Sequence, residues 1–264
     1  MIVGVDEVEP AHGLSLQGRT ILITGAAQGI GAAIARSVAS KGANVSIADL
    51  RSPDEVVNEL VRLGHRALGT VCDITDATAV GRFIDASLAE FGSIEGLVNN
   101  AAMFSALRPT PFTEISSDEF DRVMQVNVRG TFEVLKTAVP VMRTMGYGKI
   151  VNIASSTFFK GAAYLLHYVS SKGAVIAMTR ALAREVGPDR ICVNCVAPGL
   201  TMSDGVLQTG NLPRERIEAD LITRCLAREQ LPEDLTGIVA FLLSAESDFM
   251  TGQTVVVDGG SMLH

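Results

Sequence analysis

Short runs of apolar, β-branched residues alternate with longer stretches of helical periodicity along almost the whole chain. The strand-like runs fall at Thr20–Thr24, Asn44–Ala48, Ala67–Val71, Gly96–Asn99, Lys149–Ala154, Ile191–Ala197 and Thr254–Val257. Most are apolar at successive positions, the pattern of strands covered on both faces. Between them lie helix candidates at Gly29–Lys41, Asp54–Leu63, Ala77–Phe91, Ser117–Met145, Tyr168–Val186 and Pro232–Ser244. This alternation predicts an α/β fold, a doubly wound seven-stranded parallel sheet with helices on both faces. One long interruption, Leu200 to about Gln230, separates the sixth and seventh strands. An insertion of that length is expected to serve function, as a substrate loop or lid.

At 264 residues the chain suits one such domain and is short for two. We expect the domain to occupy 18–264, preceded by an N-terminal arm over 1–17 that lacks the cationic start and apolar core of a signal peptide. A net charge of −7 without any Lys/Arg cluster argues against a nucleic-acid partner. No apolar run approaches the roughly 20 residues that span a bilayer, so no membrane partner is expected and the cytoplasm is the default location. Cys192 and Cys195 form a C-x-x-C pair inside the sixth strand. Three strand residues extend about 10 Å, beyond the roughly 7 Å that a disulfide bridges, so packed thiols are expected. The four histidines form no metal-ligand pattern, and no metal is expected.

The first strand runs straight into Thr24-Gly25-Ala26-Ala27-Gln28-Gly29-Ile30-Gly31, and a helix follows. Glycines here let the backbone approach a pyrophosphate, and the helix N-terminus offers free N–H groups and a positive dipole end. Asp49 closes the second strand, where a carboxylate accepts both adenosine ribose hydroxyls and repels a 2′-phosphate. NAD is therefore expected over NADP, with Arg51 nearby as the one residue arguing otherwise. Asp73 and Ile74, after the third strand, can meet the adenine edge. Asn99-Asn100-Ala101-Ala102 follows the fourth; ordinary strand-ending turns account equally well for both segments.

Tyr168 and Lys172 stand four positions apart, which places a phenol and an ammonium on one helix face. The cation can make the phenol more acidic. Ser155 lies thirteen positions before the tyrosine. A proton-handling group beside a hydride carrier points to alcohol–carbonyl oxidoreduction.

Taken together, TGAAQGIG, Asp49, Asp73, NNAA, Asn127, Ser155, Tyr168-x-x-x-Lys172 and Pro198-Gly199 resemble the short-chain dehydrogenase/reductase family, from about Gln17 to the end. The family's NNAG is NNAA here, which adds a methyl at Ala102. The resemblance implies a single-domain Rossmann fold and a homotetramer. It implies catalytic roles for Asn127, Ser155, Tyr168 and Lys172: Tyr168 takes the alcohol proton, Lys172 assists it and holds the nicotinamide ribose, Ser155 orients the substrate oxygen, and Asn127 steadies a relay water. Gly25, Gln28, Gly29, Ile30, Gly31, Asp49, Asp73, Ile74, Asn100 and Ala101 would hold the cofactor, with Pro198, Gly199 and Thr201 beside the nicotinamide. Buried asparagines also serve only to satisfy backbone groups, and Asn127 has that reading too.

Around the serine stand Ser156, Thr157, Phe158, Phe159 and Lys160, then Tyr164, Leu165, Leu166 and His167, with Met103 and Phe104 after the NNAA turn. Some of these face the cleft, which would be apolar and partly aromatic, suited to a compact ring or secondary alcohol. The Thr-Phe-Phe segment, Pro-Gly-Leu with Ser203-Asp204-Gly205-Val206, and the ending Asp258-Gly259-Gly260 with His264 look like a branch of aryl-alcohol (1-phenylethanol-type) and pyridoxal dehydrogenases. A 3-oxoacyl thioester reductase and a catalytically silent NAD-binding module are the alternatives. Asp204, Arg214, Glu215, Arg216 and Glu218 in the insertion leave a charged substrate open, though Arg214 and Arg216 are expected on an exposed helix face.

Overall fold

The computed structural model describes residues 14–263, so most of the expected N-terminal arm, and His264, lie outside the described residues. The described end of the arm is packed: Leu16 is fully buried and donates its N–H to the Lys41 carbonyl at 3.0 Å.

The seven strands are β1 (Thr20–Thr24), β2 (Asn44–Asp49), β3 (Ala67–Val71), β4 (Gly96–Asn99), β5 (Gly148–Ile153), β6 (Ile191–Pro198) and β7 (Thr254–Val257). They pair in parallel in the order β3-β2-β1-β4-β5-β6-β7. One face packs α1 (Gly29–Ser40) and α10 (Thr236–Leu243) through Ile34, Val38, Val239 and Leu243. The other packs α3 (Ala77–Phe91), α5 (Thr131–Met145) and α7 (Leu166–Val186) through Phe83, Val134, Val139 and Val186. α2 (Asp54–Arg62) covers the β3 edge. Apolar cover on both faces is why the strand sequences do not alternate. The fold is the single-domain Rossmann arrangement expected.

The expected helix Ser117–Met145 is present, with one irregularity inside it. It is α4 (Ser117–Met124), a π-helical turn over Gln125–Gly130, and α5. The widened turn turns Asn127 inward, where its amide bonds the Met103 backbone and Ser171. π-bulges of this kind gather at functional sites. Within the insertion, α8 (Asp204–Thr209) and α9 (Arg214–Ile222) stand on a base closed by a bridge between Thr201 and Gln230. The short α6 (Thr157–Lys160) follows β5. All four cysteines are free.

Gly96 allows β1 and β4 to sit under α10: a Cβ there would collide with Ile21 Cδ1 and lie 3.1 Å from Leu243 Cδ2. Overpacking a core position costs about 1–3 kcal/mol. Gly96→Ala should therefore lower the urea midpoint with an unchanged slope; an unaltered midpoint would show that Ile21 rotates away freely.

Candidate active site

The strand order reverses at β1, with β2 on one side and β4 on the other. Connections leaving on opposite faces open a crevice at the strands' C-terminal ends. A continuous cleft of about 730 Å³ occupies it, reaching from Asp49 and Arg51 past the glycine turn to Ser155, Tyr168 and Lys172. That size lies within the roughly 300–1,000 Å³ of small-molecule sites.

At the first end, backbone geometry does most of the shaping. Gly25 has φ +68°, and a Cβ there would lie 2.6 Å from Ala101 Cα. At Gly31 a Cβ would collide with the Gly25 carbonyl and lie 2.6 Å from Asn100 Nδ2. The Asn100 amide donates to the carbonyls of Thr24 (3.0 Å) and Gly25 (2.7 Å), while Thr24 Oγ1 accepts from Asn100 N and Ala101 N. Asn100 is thus a clamp on the glycine turn. Asp49 Oδ2 accepts from Ala27 N and Oδ1 from Arg51 N, both at 2.9 Å. Each carboxylate oxygen keeps a further lone pair for a ribose hydroxyl. The Arg51 guanidinium reaches back to Gln28 Oε1 at 2.7 Å. Asp73 turns one oxygen to Thr75, and Ile74 packs against Gly130.

A dinucleotide fits this cradle. Gln28 makes no side-chain cap at the start of α1, so helix N–H groups are left for an anion. Pro198, Gly199 and Thr201 line the far side of the same cleft. Thr201 is buried, with its hydroxyl donated to Gly199 O at 3.1 Å.

At the reacting end, Lys172 Nζ donates to the Ile153 carbonyl at 2.8 Å, and stands 5.8 Å from the Tyr168 ring centroid. Ser155 hydrogen-bonds the Tyr168 phenol and itself accepts from Thr157 Oγ1 at 2.9 Å. Burial pushes Tyr168 up to about 12, opposed by the Ser155 bond. Burial likewise pushes Lys172 down to about 8. Desolvation therefore dominates the phenol in the free protein, before a positive nicotinamide adds its charge. Gly31 and Asn127 stand behind the cleft wall while the other expected site residues line it. Asn127 holds Met103 and Ser171; Ser171 in turn donates to the Tyr168 carbonyl at 2.7 Å.

Of the expected pocket residues, Met103, Phe104, Ser156, Thr157, Lys160 and Leu165 line the cleft. Phe104 packs on Tyr168 with ring centroids 4.8 Å apart. Phe158, Phe159, Tyr164, Leu166 and His167 do not line it. Phe158 lies against Gly173, and the buried His167 is 3.1 Å from Glu119.

Two contacts escaped the sequence reading. Thr157 steadies Ser155, a pairing that the S-x-T spacing could have suggested. Asp204, the first residue of α8, accepts from Gly29 N at 3.0 Å and so ties the insertion to the start of α1. Only tertiary placement shows that contact.

Asp204 presents a carboxylate where a pyrophosphate would gather, and charges at helix ends are worth about 0.3–1 kcal/mol. Asp204→Ala should tighten NADH binding roughly two- to fivefold in a fluorescence titration; weaker binding would show that the tie to Gly29 N helps the cofactor instead.

The Lys172 shift also has a stability sign. Its folded value lies below the unfolded 10.5, so below about pH 8 both states hold the proton and the folded state bears the full penalty of a buried cation. Between about 8 and 10.5 the folded state sheds the proton first and that penalty fades. Relative to Lys172→Met, the wild-type protein should gain up to about 3 kcal/mol of stability across that window. Chemical unfolding of both at pH 7 and pH 10 checks this; parallel pH profiles would contradict the buried ammonium.

The family model for enoyl-(acyl carrier protein) reductase matches residues 25–262. A 2-dehydro-3-deoxy-D-gluconate 5-dehydrogenase of Dickeya dadantii (strain 3937) is 34% identical over 252 residues, spanning 93% of this chain and 96% of that protein. The (2S)-[(R)-hydroxy(phenyl)methyl]succinyl-CoA dehydrogenase subunit BbsD of Thauera aromatica is 36% identical over 252 residues, spanning 95% and 99%. A solved short-chain type dehydrogenase/reductase from Mycobacterium ulcerans superposes with a TM-score of 0.88 at 33% identity, covering 95% of this chain and 92% of that one. With the sheet order and cleft above, these matches make the chain a member of the short-chain dehydrogenase/reductase family, an NAD(P)-dependent oxidoreductase of alcohol and carbonyl groups.

Proposed function

We propose that the chain interconverts a small, largely apolar, aromatic or cyclic secondary alcohol and its carbonyl, with NAD as the preferred cofactor. The observation that carries this reading is the meeting of Ser155, Tyr168 and Lys172 beside a wall of Met103, Phe104 and Leu165. The phenyl on the hydroxyl-bearing carbon in the Thauera aromatica relative's name supports an aromatic substrate. Asp49 at the end of β2 supports NAD, since a 2′-phosphate beside a carboxylate is repelled. A second reading, a 3-oxoacyl thioester, draws on the family model's description and is opposed by Asp49, because it usually goes with NADPH.

When bound, nicotinamide supplies the hydride acceptor or donor. Ser155 holds the substrate oxygen, and Tyr168 exchanges a proton with it. In oxidation the alcohol carbon loses a hydride and its oxygen a proton, leaving the carbonyl. Lys172, anchored on Ile153, sets the electrostatics behind the phenol. With Tyr168 pushed up to about 12, the free protein is poised as a proton donor at neutral pH. The basic form grows tenfold per pH unit below that value. Alcohol oxidation should accordingly climb between pH 7 and 9, while carbonyl reduction stays nearly flat.

A homotetramer belongs to the same reading; the exposed Phe249 and Leu263 flank β7 and would gain cover from a subunit contact.

Initial rates with NAD and NADP in parallel, over 1-phenylethanol, cycloalkanols, pyridoxal and 3-hydroxyacyl thioesters, test the proposal. We expect NAD-dependent turnover of the aryl or cyclic alcohols, lost by at least 100-fold in Tyr168→Phe. NADP preference would overturn the role of Asp49, and a Tyr168→Phe enzyme at full rate would overturn the proton-transfer role.

A further inference from the structure

The insertion brings charge to a cleft whose inner wall is apolar. Arg214 meets the expectation of a solvated helix face, being exposed and paired with Glu218 at 2.9 Å. Arg216 does not. It is half-buried, lines the cleft, and donates from Nη2 to the Ala163 carbonyl at 3.0 Å. Among the described residues no carboxylate lies within salt-bridge distance of it. A guanidinium carries five N–H donors in a planar fork, so most of its capacity is open.

Its neighbours sharpen the point. Lys160 lines the same cleft and pairs with Asp220 at 2.9 Å. The other Asp220 oxygen is held by the buried Arg224 at 2.6 Å. Lys160 and Arg224 therefore share one carboxylate while Arg216 has none, a local surplus of positive charge on a chain whose net charge is −7. The loop that anchors Arg216 is itself constrained. Tyr164, next to Ala163, holds φ +67°, a left-handed conformation unusual outside glycine, and its carbonyl accepts from Thr110 N at 2.9 Å. Such strain persists where surrounding contacts over-determine the chain, often at ligand clamps.

We infer that Arg216, with Lys160 beside it, recognises a carboxylate carried by the substrate away from its hydroxyl carbon. The preferred substrate is then a ring alcohol with an acidic substituent. This rests on the cleft being an alcohol site and adds the class of alcohol. Arginine suits the task because its fork matches a carboxylate with two parallel hydrogen bonds. A positive rim on a narrow cleft also concentrates anionic substrate at its mouth.

The test compares 1-phenylethanol with 4-(1-hydroxyethyl)benzoate in the wild type, Arg216→Ala, Arg216→Lys and, as a control, Arg214→Ala. A charge-assisted hydrogen bond at a partly open site should favour the carboxylate about tenfold in kcat/KM, expressed in KM. That ratio should fall towards one in Arg216→Ala, be partly kept in Arg216→Lys, and survive Arg214→Ala. A ratio near one in the wild type, or one that persists in Arg216→Ala, would overturn the inference. Calorimetric binding of 4-acetylbenzoate and acetophenone to the protein with NADH separates this inference from the alcohol reading. If neither alcohol is oxidised, that reading fails, yet Arg216-dependent preference for 4-acetylbenzoate still upholds anion recognition. Binding of both ketones alike, or of neither, overturns it.

Discussion

The hydrogen bond from Lys172 to the carbonyl of Ile153 holds the reacting end of the molecule together. It joins α7 to the last residue of β5, two positions before Ser155. Helical spacing then sets Tyr168 one turn from the same lysine. The three groups meet because a sheet and a helix meet, and each arrives on a rigid element. The arrangement has an electrostatic penalty: an ammonium and a phenol are both removed from water, with no carboxylate beside them among the described residues. Burial alone explains why the two groups shift in opposite directions, since it disfavours whichever form is charged. Burial consequently favours the neutral form of each group, and a positive charge brought into the cleft would favour the phenolate.

The cofactor end follows a different logic. Its shape comes from what side chains leave out. Gly25 and Gly31 admit Ala101 and Asn100 to distances at which a Cβ would collide or crowd, and Asn100 converts that approach into hydrogen bonds. Asp49 works in two directions, pinning the glycine turn through Ala27 and Arg51 while its remaining lone pairs face the cleft. Asp204 links this end to the insertion, so movement of α8 and access to the first turn of α1 are mechanically joined.

Much of this was legible in the residues. Runs such as Thr20–Thr24 predict doubly covered strands, and all five of its residues are buried. The four-residue spacing of Tyr168 and Lys172 carries its geometry with it. What was not legible depends on rotation and tertiary placement. Phe158 and Phe159 sit beside Ser155 in sequence, yet α6 directs them away from the cleft, Phe158 onto Gly173. The π-helical turn at Gln125–Gly130 leaves no periodic signature, because one inserted residue resembles ordinary phase drift. The phenol's desolvation was not legible for a related reason: charge spacing can be read along a helix, whereas burial depends on everything packed around it.

Arg214 and Arg216 show the same division at the level of specificity. Two positions along a helix turn a side chain by roughly 200°, so neighbours of identical type can have opposite surroundings. One becomes a solvated ion pair worth little. The other is half-buried at the cleft, where the same charge is less screened by water. The sheet ends hold Ser155 and, through Ile153, Lys172 in a fixed frame, while under the proposed reading the insertion chooses what enters. Changes on α8 and α9, which bear little of the core, can then alter the substrate without disturbing the sheet. Within a family that shares one reacting centre, this is where differences between members should gather.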